Sequence, residues 1–270
     1  MMDFTLKAYK SLVKSLIDGE YAFLTFEDYL EIPFKGKVVM LRHDVDELAG
    51  NALKIARLEH SLGVRSTFFF RVVMQSNQPE VIREIVALGH AVGYHYEDLS
   101  FSNGDFEKAI QSFEKNLSYF RTYYPVKVVC MHGSSSSKFD NRLLWEKYKL
   151  SDYGLIGEPY LSLDFDKIYY LTDTGYAWDG GKFATRDIVV NDHGLKFHTT
   201  QQIVDCVNRG EFPEKSMILA HTLWTDNLLQ WMWLHLREFL RNNVKRFSKK
   251  SKLISSIYNG MVKRYWNHSK

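Results

Sequence analysis

An α/β fold, a parallel sheet or barrel covered by helices, is predicted by two features of the chain. Short apolar runs with strand character alternate with segments whose apolar residues recur at helical spacing. Acidic and imidazole side chains collect just after the apolar runs, where the carboxyl ends of parallel strands carry ligand-binding loops. The 270 residues suffice for one large domain with a sizeable core.

The opening stretch, MMDFTLKAYKSLVKSL, is amphipathic and of mixed charge. Residues 38–42 form an apolar run with strand character, and Leu48, Ala52, Ile55, Ala56 and Leu62 then recur at helical spacing. Thr67–Phe70 is a second strand, rich in aromatics. Val81, Ile82, Ile85 and Val86 mark a short helix, which Gly89 is placed to end. Ala91–Tyr96 is the third strand. Asn103 or Asp105 can cap the next helix, whose apolar face is Phe106, Ile110, Phe113, Leu117 and Phe120, and Pro125 stops it. Residues 126–131 read as a fourth strand, and 167–171 and 217–220 as later ones. Thr199-Thr200 is a helix cap before Ile203 and Val204. The serine run 134–137 follows a strand directly and reads as a loop over the site. No internal repeat or linker divides the chain.

Composition narrows the class. Hydrophobic residues make up 45% and aromatics 15%, which excludes overall disorder. A net charge of +3 gives no ground for a nucleic-acid partner. Both cysteines, Cys130 and Cys206, lie in apolar runs, which points to buried thiols in a reducing compartment. The N-terminus lacks the apolar core of a signal peptide, and no apolar run approaches the roughly 18 residues of a spanning helix. The expectation is a cytoplasmic protein.

Chemistry-bearing residues fall at four strand ends: Asp44 and Asp46 in LRHDVD, then His95, Glu97 and Asp98 in GHAVGYHYEDLS, His132 in MHGSSSS, and His221 in MILAHTLW. Crowded acids repel one another unless a cation or a proton offsets them. The first pair therefore reads as a metal ligand plus a general base, or more plainly as a helix cap with His43 packed beside it. Arg42 can neutralise the adjacent acids and lower their pKa values. Mixed Asp and His donors suit zinc or a similar divalent ion.

These residues resemble the polysaccharide deacetylase family, also called the NodB-homology or carbohydrate esterase family 4 group. The chain looks like a divergent member, matching by motif order over roughly residues 36 to 223. The resemblance implies a distorted (β/α) barrel, here one domain over residues 1–270 with extra N- and C-terminal helices. HDVD at 43–46 is similar to the family's first motif but spaces its acids by one residue; the match implies Asp44 as base and Asp46 as metal ligand. STFFF at 66–70 resembles the next strand. Gly89, His90, Gly93 and His95 match the Gly-His-x-x-Gly-x-His run and imply His95 as a ligand. The family's second His of that motif is replaced by Leu99, and MHGS at 131–134 replaces its Arg-Pro motif. Leu219-Ala220-His221 matches the final Leu-x-His. The implied activity is metal-dependent removal of an N-acetyl group from a sugar of a cell-surface polysaccharide or its lipid-linked precursor. The alternatives are a non-catalytic glycan-binding relative and a hydrolase of a non-sugar amide.

Roles can be assigned on physical grounds. Asp44 can take a proton from water, and His221 can protonate a leaving amine. Backbone N–H groups around Gly133 and Ser134 could stabilise an oxyanion. Asp173 or Asp179 could orient His221, or simply cap a loop. Trp178 and Trp224 could stack on a sugar ring, or belong to the core. His132 is expected as the third ligand of a divalent metal, with zinc as the expected ion and Glu97 or Asp98 as alternative ligands.

The segment 227–270 differs in character. It holds Trp231, Trp233, Leu234, Phe239 and Leu240 with Arg237 and Arg241, then Lys245, Arg246, Lys249, Lys250 and Lys252, and Lys263, Arg264, Tyr265 and Trp266 near the end. It reads either as a basic, aromatic-anchored helix making peripheral contact with the inner face of an anionic membrane, or as a packed final helix with a solvated tail.

Overall fold

The structure, a computed structural model, describes residues 2–133, 137–178, 186, 189 and 193–248, with the backbone alone for 244–248. In chain order its elements are α1 (Leu6–Asp18), β1 (Ala22–Phe23), α2 (Phe26–Glu31), β2 (Val38–Val45), α3 (Ala49–Ser61) and β3 (Thr67–Phe70). Then come α4 (Pro79–Ala87), β4 (Ala91–Tyr96), α5 (Asp98–Phe101), α6 (Phe106–Phe120), β5 (Val129–Met131), α7 (Leu144–Lys147) and α8 (Pro159–Ser162). β6 (Tyr169–Thr172), α9 (Thr200–Asn208), β7 (Lys215–Leu219) and α10 (Leu228–Ser248) complete the described set.

The strands form one parallel sheet in the order β5-β4-β3-β2-β7-β6, with β1 beside the start of β2. It curls into a distorted (β/α) barrel whose edge strands are β5 and β6. Local signals set the helix ends. Asp105 caps α6 by accepting from the Lys108 N–H, and Thr199 and Gln202 form a reciprocal capping box on α9. Gly89 follows α4 at φ +88°, a conformation that favours glycine.

Four strands differ in their bounds from the sequence expectation, β7 by running over Lys215–Leu219 instead of 217–220. β2 runs on through Val45, because its last four residues pair with β3. The expected strand 126–131 shortens to Val129–Met131: Val128 bridges to Gly157, and the Lys127 carbonyl accepts from Ile156 rather than from β4. β6 starts only at Tyr169, since the N–H groups of Lys167 and Ile168 both close a turn onto the Asp164 carbonyl.

Alternation along the strands separates two cores. Outside, between sheet and helices, Leu41, Val45, Phe68, Phe70, Tyr94 and Tyr96 pack against the buried faces of α1, α3, α4 and α6. Inside the curl, Met40, Phe69, Val128, Cys130, Met217 and Leu219 fill the floor. Gly93 is required there: a Cβ at this position would lie 2.4 Å from the Phe69 ring.

The outer layer also buries an ion pair. His43 Nε2 lies 2.9 Å from Glu59 Oε1, and its Nδ1 lies 2.9 Å from the Ala220 carbonyl. Both acceptors can only accept, so the geometry calls for a doubly protonated imidazolium. Tyr9 and Ser66 also donate to Glu59. Burial alone would favour the neutral form of each partner. Their mutual attraction prevails, holding Glu59 below the ordinary carboxylate value and His43 above the ordinary imidazole value. The Glu59 contribution is present above about pH 4.3 and is lost as pH falls through its lowered folded value; the His43 contribution is complete below about pH 6.5 and is lost as pH rises through its raised value. Glu59→Gln leaves a buried cation uncompensated. It is expected to cost about 3–5 kcal/mol in chemical denaturation near pH 6. A loss under about 1 kcal/mol there would mean that the pair contributes little net stability.

Candidate active site

The site grows from the two-residue period of the strands. Arg42 and Asp44 alternate to the inner face of β2 while His43 and Val45 point out, and Asp46 follows one residue beyond the strand end. Register brings the other groups level. Asp44 pairs with Phe69, and Phe69 with Gly93, so two residues further on Asp46, Arg71 and His95 share one layer. His95 is opposite Cys130, which places Glu97 and His132 together in the next layer. Arg42 is opposite Leu219, so His221 emerges level with Asp44 from the other side.

Asp46, His95 and His132 converge, each offering one ligand atom, with all three atoms within 4.8 Å of one another. Nε2 of His95 and Nε2 of His132 each lie 3.4 Å from Asp46 Oδ1. That oxygen is buried and makes no hydrogen bond of good geometry. The outer nitrogens are committed elsewhere. His95 Nδ1 is 2.9 Å from the Cys130 carbonyl and His132 Nδ1 is 2.8 Å from Glu97 Oε2, so both rings carry the proton outward and aim Nε2 inward. Arg71 in turn donates to Glu97 at 2.7 Å. Two imidazole nitrogens and an unsatisfied carboxylate oxygen aimed at one point fit a divalent cation. Asp44, His95 and Cys130 form a second possible group. Its Asp44 oxygens are already engaged by Arg42.

Arg42 holds Asp44 in a two-pronged contact, Nε to Oδ1 at 2.9 Å and Nη2 to Oδ2 at 2.6 Å, both side chains buried. Burial alone would raise the Asp44 pKa, but Arg42, then His95, outweigh it and keep the carboxylate ionised below its ordinary value. Burial likewise opposes the Asp46 charge, and His132, His95 and Arg71 hold that group well below the carboxylate range.

Across the curl, His221 Nδ1 is 2.6 Å from Asp173 Oδ1. Asp173 also accepts from the His221 backbone N–H at 3.0 Å and from Trp224 Nε1 at 2.9 Å. Burial would lower the His221 pKa, yet Asp173, with smaller help from Asp46 and Asp44, pushes it up to about 10. The side chain is partly exposed, and its Nε2 edge is not held by Asp173.

Of the seven residues expected at strand ends, Asp44, Asp46, His95, Glu97, His132 and His221 line one end of the barrel. Gly133 directly follows His132; Ser134 and Asp179 lie outside the described residues. Trp178 corrects its expected substrate-binding role. It is buried against Phe4 and Trp224 with Nε1 donating to Thr200, because the segment after β6 folds into the outer core. Trp224 is also fully buried and serves Asp173. Asp98 turns away to Tyr94, Ser112 and Asn116, and burial pushes its pKa up to about 6. Leu99 is core. The orienting roles of Glu97 and Arg71 were missed, although Glu97 lies one strand period beyond His95 and so shares its face.

No protein-family model and no curated protein matches the chain. Solved structures similar to it include a CE4 family pseudoenzyme from Bacillus anthracis, at 11% identity over 87% of this chain and 76% of that one, with TM-score 0.44. A family 4 carbohydrate esterase from Bacillus anthracis shares 16% identity over 86% and 85%, with TM-score 0.43. A family 4 carbohydrate esterase from Streptomyces lividans in complex with acetate shares 15% over 77% and 90%, with TM-score 0.39.

Proposed function

We propose that the protein is a metal-dependent amide hydrolase that removes an N-acetyl group from a sugar of a cell-surface polysaccharide or its lipid-linked precursor. The observation that carries this reading is the convergence of Asp46 Oδ1 with the two inward Nε2 atoms, flanked by an Arg42-held carboxylate and an Asp173-held imidazole. Two features that look lost from the sequence motifs have substitutes in space. In this reading His132 serves as the third ligand in place of Leu99, and Arg42 as the guanidinium beside the base, supported by the 3.4 Å approach of His132 Nε2 to Asp46 Oδ1 and the 2.6 Å contact of Arg42 with Asp44.

Asp46, His95 and His132 would hold the ion, and this donor set suits zinc. When bound, such an ion polarises an amide carbonyl and lowers the pKa of water beside it. Asp44, kept ionised, takes a proton from the attacking water as its oxygen bonds to the acetyl carbon. The carbon–nitrogen bond then breaks, and His221 gives its Nε2 proton to the nitrogen, which leaves as an amine rather than as an amide anion. Acetate and the free amino sugar are the products. The backbone N–H of Gly133 is the proposed oxyanion donor.

The test is metal analysis of purified protein followed by acetate release from N-acetylated oligosaccharides and lipid-linked N-acetyl sugars. Bound metal with acetate release supports the reading. Sugar binding without release would leave a glycan-binding protein, and release only from non-sugar amides would leave the third class. Once activity is in hand, Asp173→Asn should shift the alkaline limb of the kcat profile to lower pH. The reason is that Asp173 is what raises His221, and without it the acid loses its proton sooner. The loss in kcat is expected at about 10²–10⁴-fold. An unmoved alkaline limb would exclude His221 as the acid.

A further inference from the structure

α10 is inverted relative to an ordinary surface helix. The face it turns to the body is Trp231, Leu234, His235, Glu238 and Asn242, mostly polar and aromatic. The opposite face exposes Leu229, Met232, Trp233, Leu236, Phe239 and Leu240 in one stripe, with Leu229 78% and Phe239 65% exposed. A soluble surface helix buries its apolar side. Charge is also segregated. The last 32 positions, from Phe239, hold nine of the 35 basic residues and none of the 32 acidic ones, so the preceding 238 are net negative. No helix among the described residues is long and apolar enough to cross a membrane.

The packed face ties α10 to the site. Arg237 forks onto Glu47, the residue after Asp46, at 2.5 and 3.0 Å. Asn242 donates to the Gly175 carbonyl at 2.8 Å, two residues beyond Asp173. α10 therefore sits on the loops at the carboxyl end of the barrel, where the candidate active site opens.

We propose that α10 lies in the surface of an anionic phospholipid bilayer and docks the open end of the barrel against it. An exposed stripe of Leu, Met, Trp and Phe supplies the apolar insertion, and the acid-free basic segment that begins within it supplies attraction to anionic headgroups. Charge complementarity favours this occupant over a second copy of the chain, whose identical segment would bring like charges together. Where the deacetylase reading holds, and resting on it, a docked barrel opening selects a lipid-linked sugar over a free one.

Full-length protein is tested by co-sedimentation with vesicles of phosphatidylcholine alone and of phosphatidylcholine mixed with phosphatidylglycerol. Binding is expected to the mixed vesicles and to fall at high salt. Leu229→Ser with Phe239→Ser should lower partitioning at least about tenfold, and Lys245→Gln with Arg246→Gln by a similar factor. The first pair is solvent-exposed, so an unchanged thermal melt separates lost docking from lost fold. No sedimentation with mixed vesicles at low salt overturns the proposal. So does a stable dimer that the Leu229 and Phe239 substitutions convert to monomer, since a second copy then covers the face. The readout needs neither metal nor turnover: vesicle binding without acetate release would sink the enzyme reading and leave the docking intact.

Discussion

His221→Ala and Asp44→Asn are each expected to lower turnover of the metal-loaded protein by about two orders of magnitude or more. His221 gives the cleaner experiment. Its ring is partly exposed, and after truncation Asp173 keeps its bonds from the residue 221 backbone N–H and from Trp224. The fold should therefore survive, and the loss should fall on kcat rather than on KM, because proton donation matters as the bond breaks. Asp44→Asn removes the counter-charge of a fully buried guanidinium, a change that costs about 3–5 kcal/mol where such pairs have been broken. Its activity must be read where a far-ultraviolet spectrum shows native structure. Adding Arg42→Met to Asp44→Asn removes the orphaned charge and should restore stability without restoring turnover. Wild-type kcat in folded His221→Ala, or in the stabilised double variant, would take that residue out of the mechanism.

The sequence was most legible where information is local. Continuous apolar runs marked β2, β3, β4 and β7, and caps at Asp105 and Thr199 were visible in the residues that make them. β1, only two residues long, left no run to read. In the site, the strand-end residues could be found because a parallel sheet delivers all its carboxyl ends to one side. What could not be read was partnership across the chain. Asp173 and Asp179 were equivalent in sequence, and only a contact 48 positions long ties Asp173 to His221. Glu97 is legible in sequence only as an alternative ligand, and its hold on His132 needs β5 to set the two side by side, 35 positions apart. Trp178 illustrates the opposite hazard: an aromatic near an expected site invites a sugar-stacking role, and its burial depends on Phe4 at the far end of the chain. The two-residue period did hold one unused clue. It puts Arg42 and Asp44 on one face and His43 on the other, where Glu59 waits.

His132→Ala should reduce metal content as severely as His95→Ala does. Both losses should exceed the roughly 10–100-fold that removing an outer partner of a metal ligand costs. The expectation follows from equivalence within the cluster: each ring carries its proton on Nδ1, and each Nε2 lies 3.4 Å from the same Asp46 oxygen. A catalytic zinc site usually has three protein ligands plus water, and without His132 the described cluster offers two. Glu97→Gln provides the graded comparison. It keeps an acceptor near His132 Nδ1 but removes a charge, so it should weaken metal binding within that 10–100-fold range without abolishing it. Titration with zinc against a competing chelator measures all three variants with no substrate present. If His132→Ala binds zinc as wild type does while His95→Ala does not, the third ligand comes from elsewhere and the role of His132 shrinks to holding Glu97. If wild type itself takes up no zinc at saturation, Asp46 Oδ1 has another use, and a site with a buried acid, two imidazoles and no ion would favour binding a glycan over hydrolysing one.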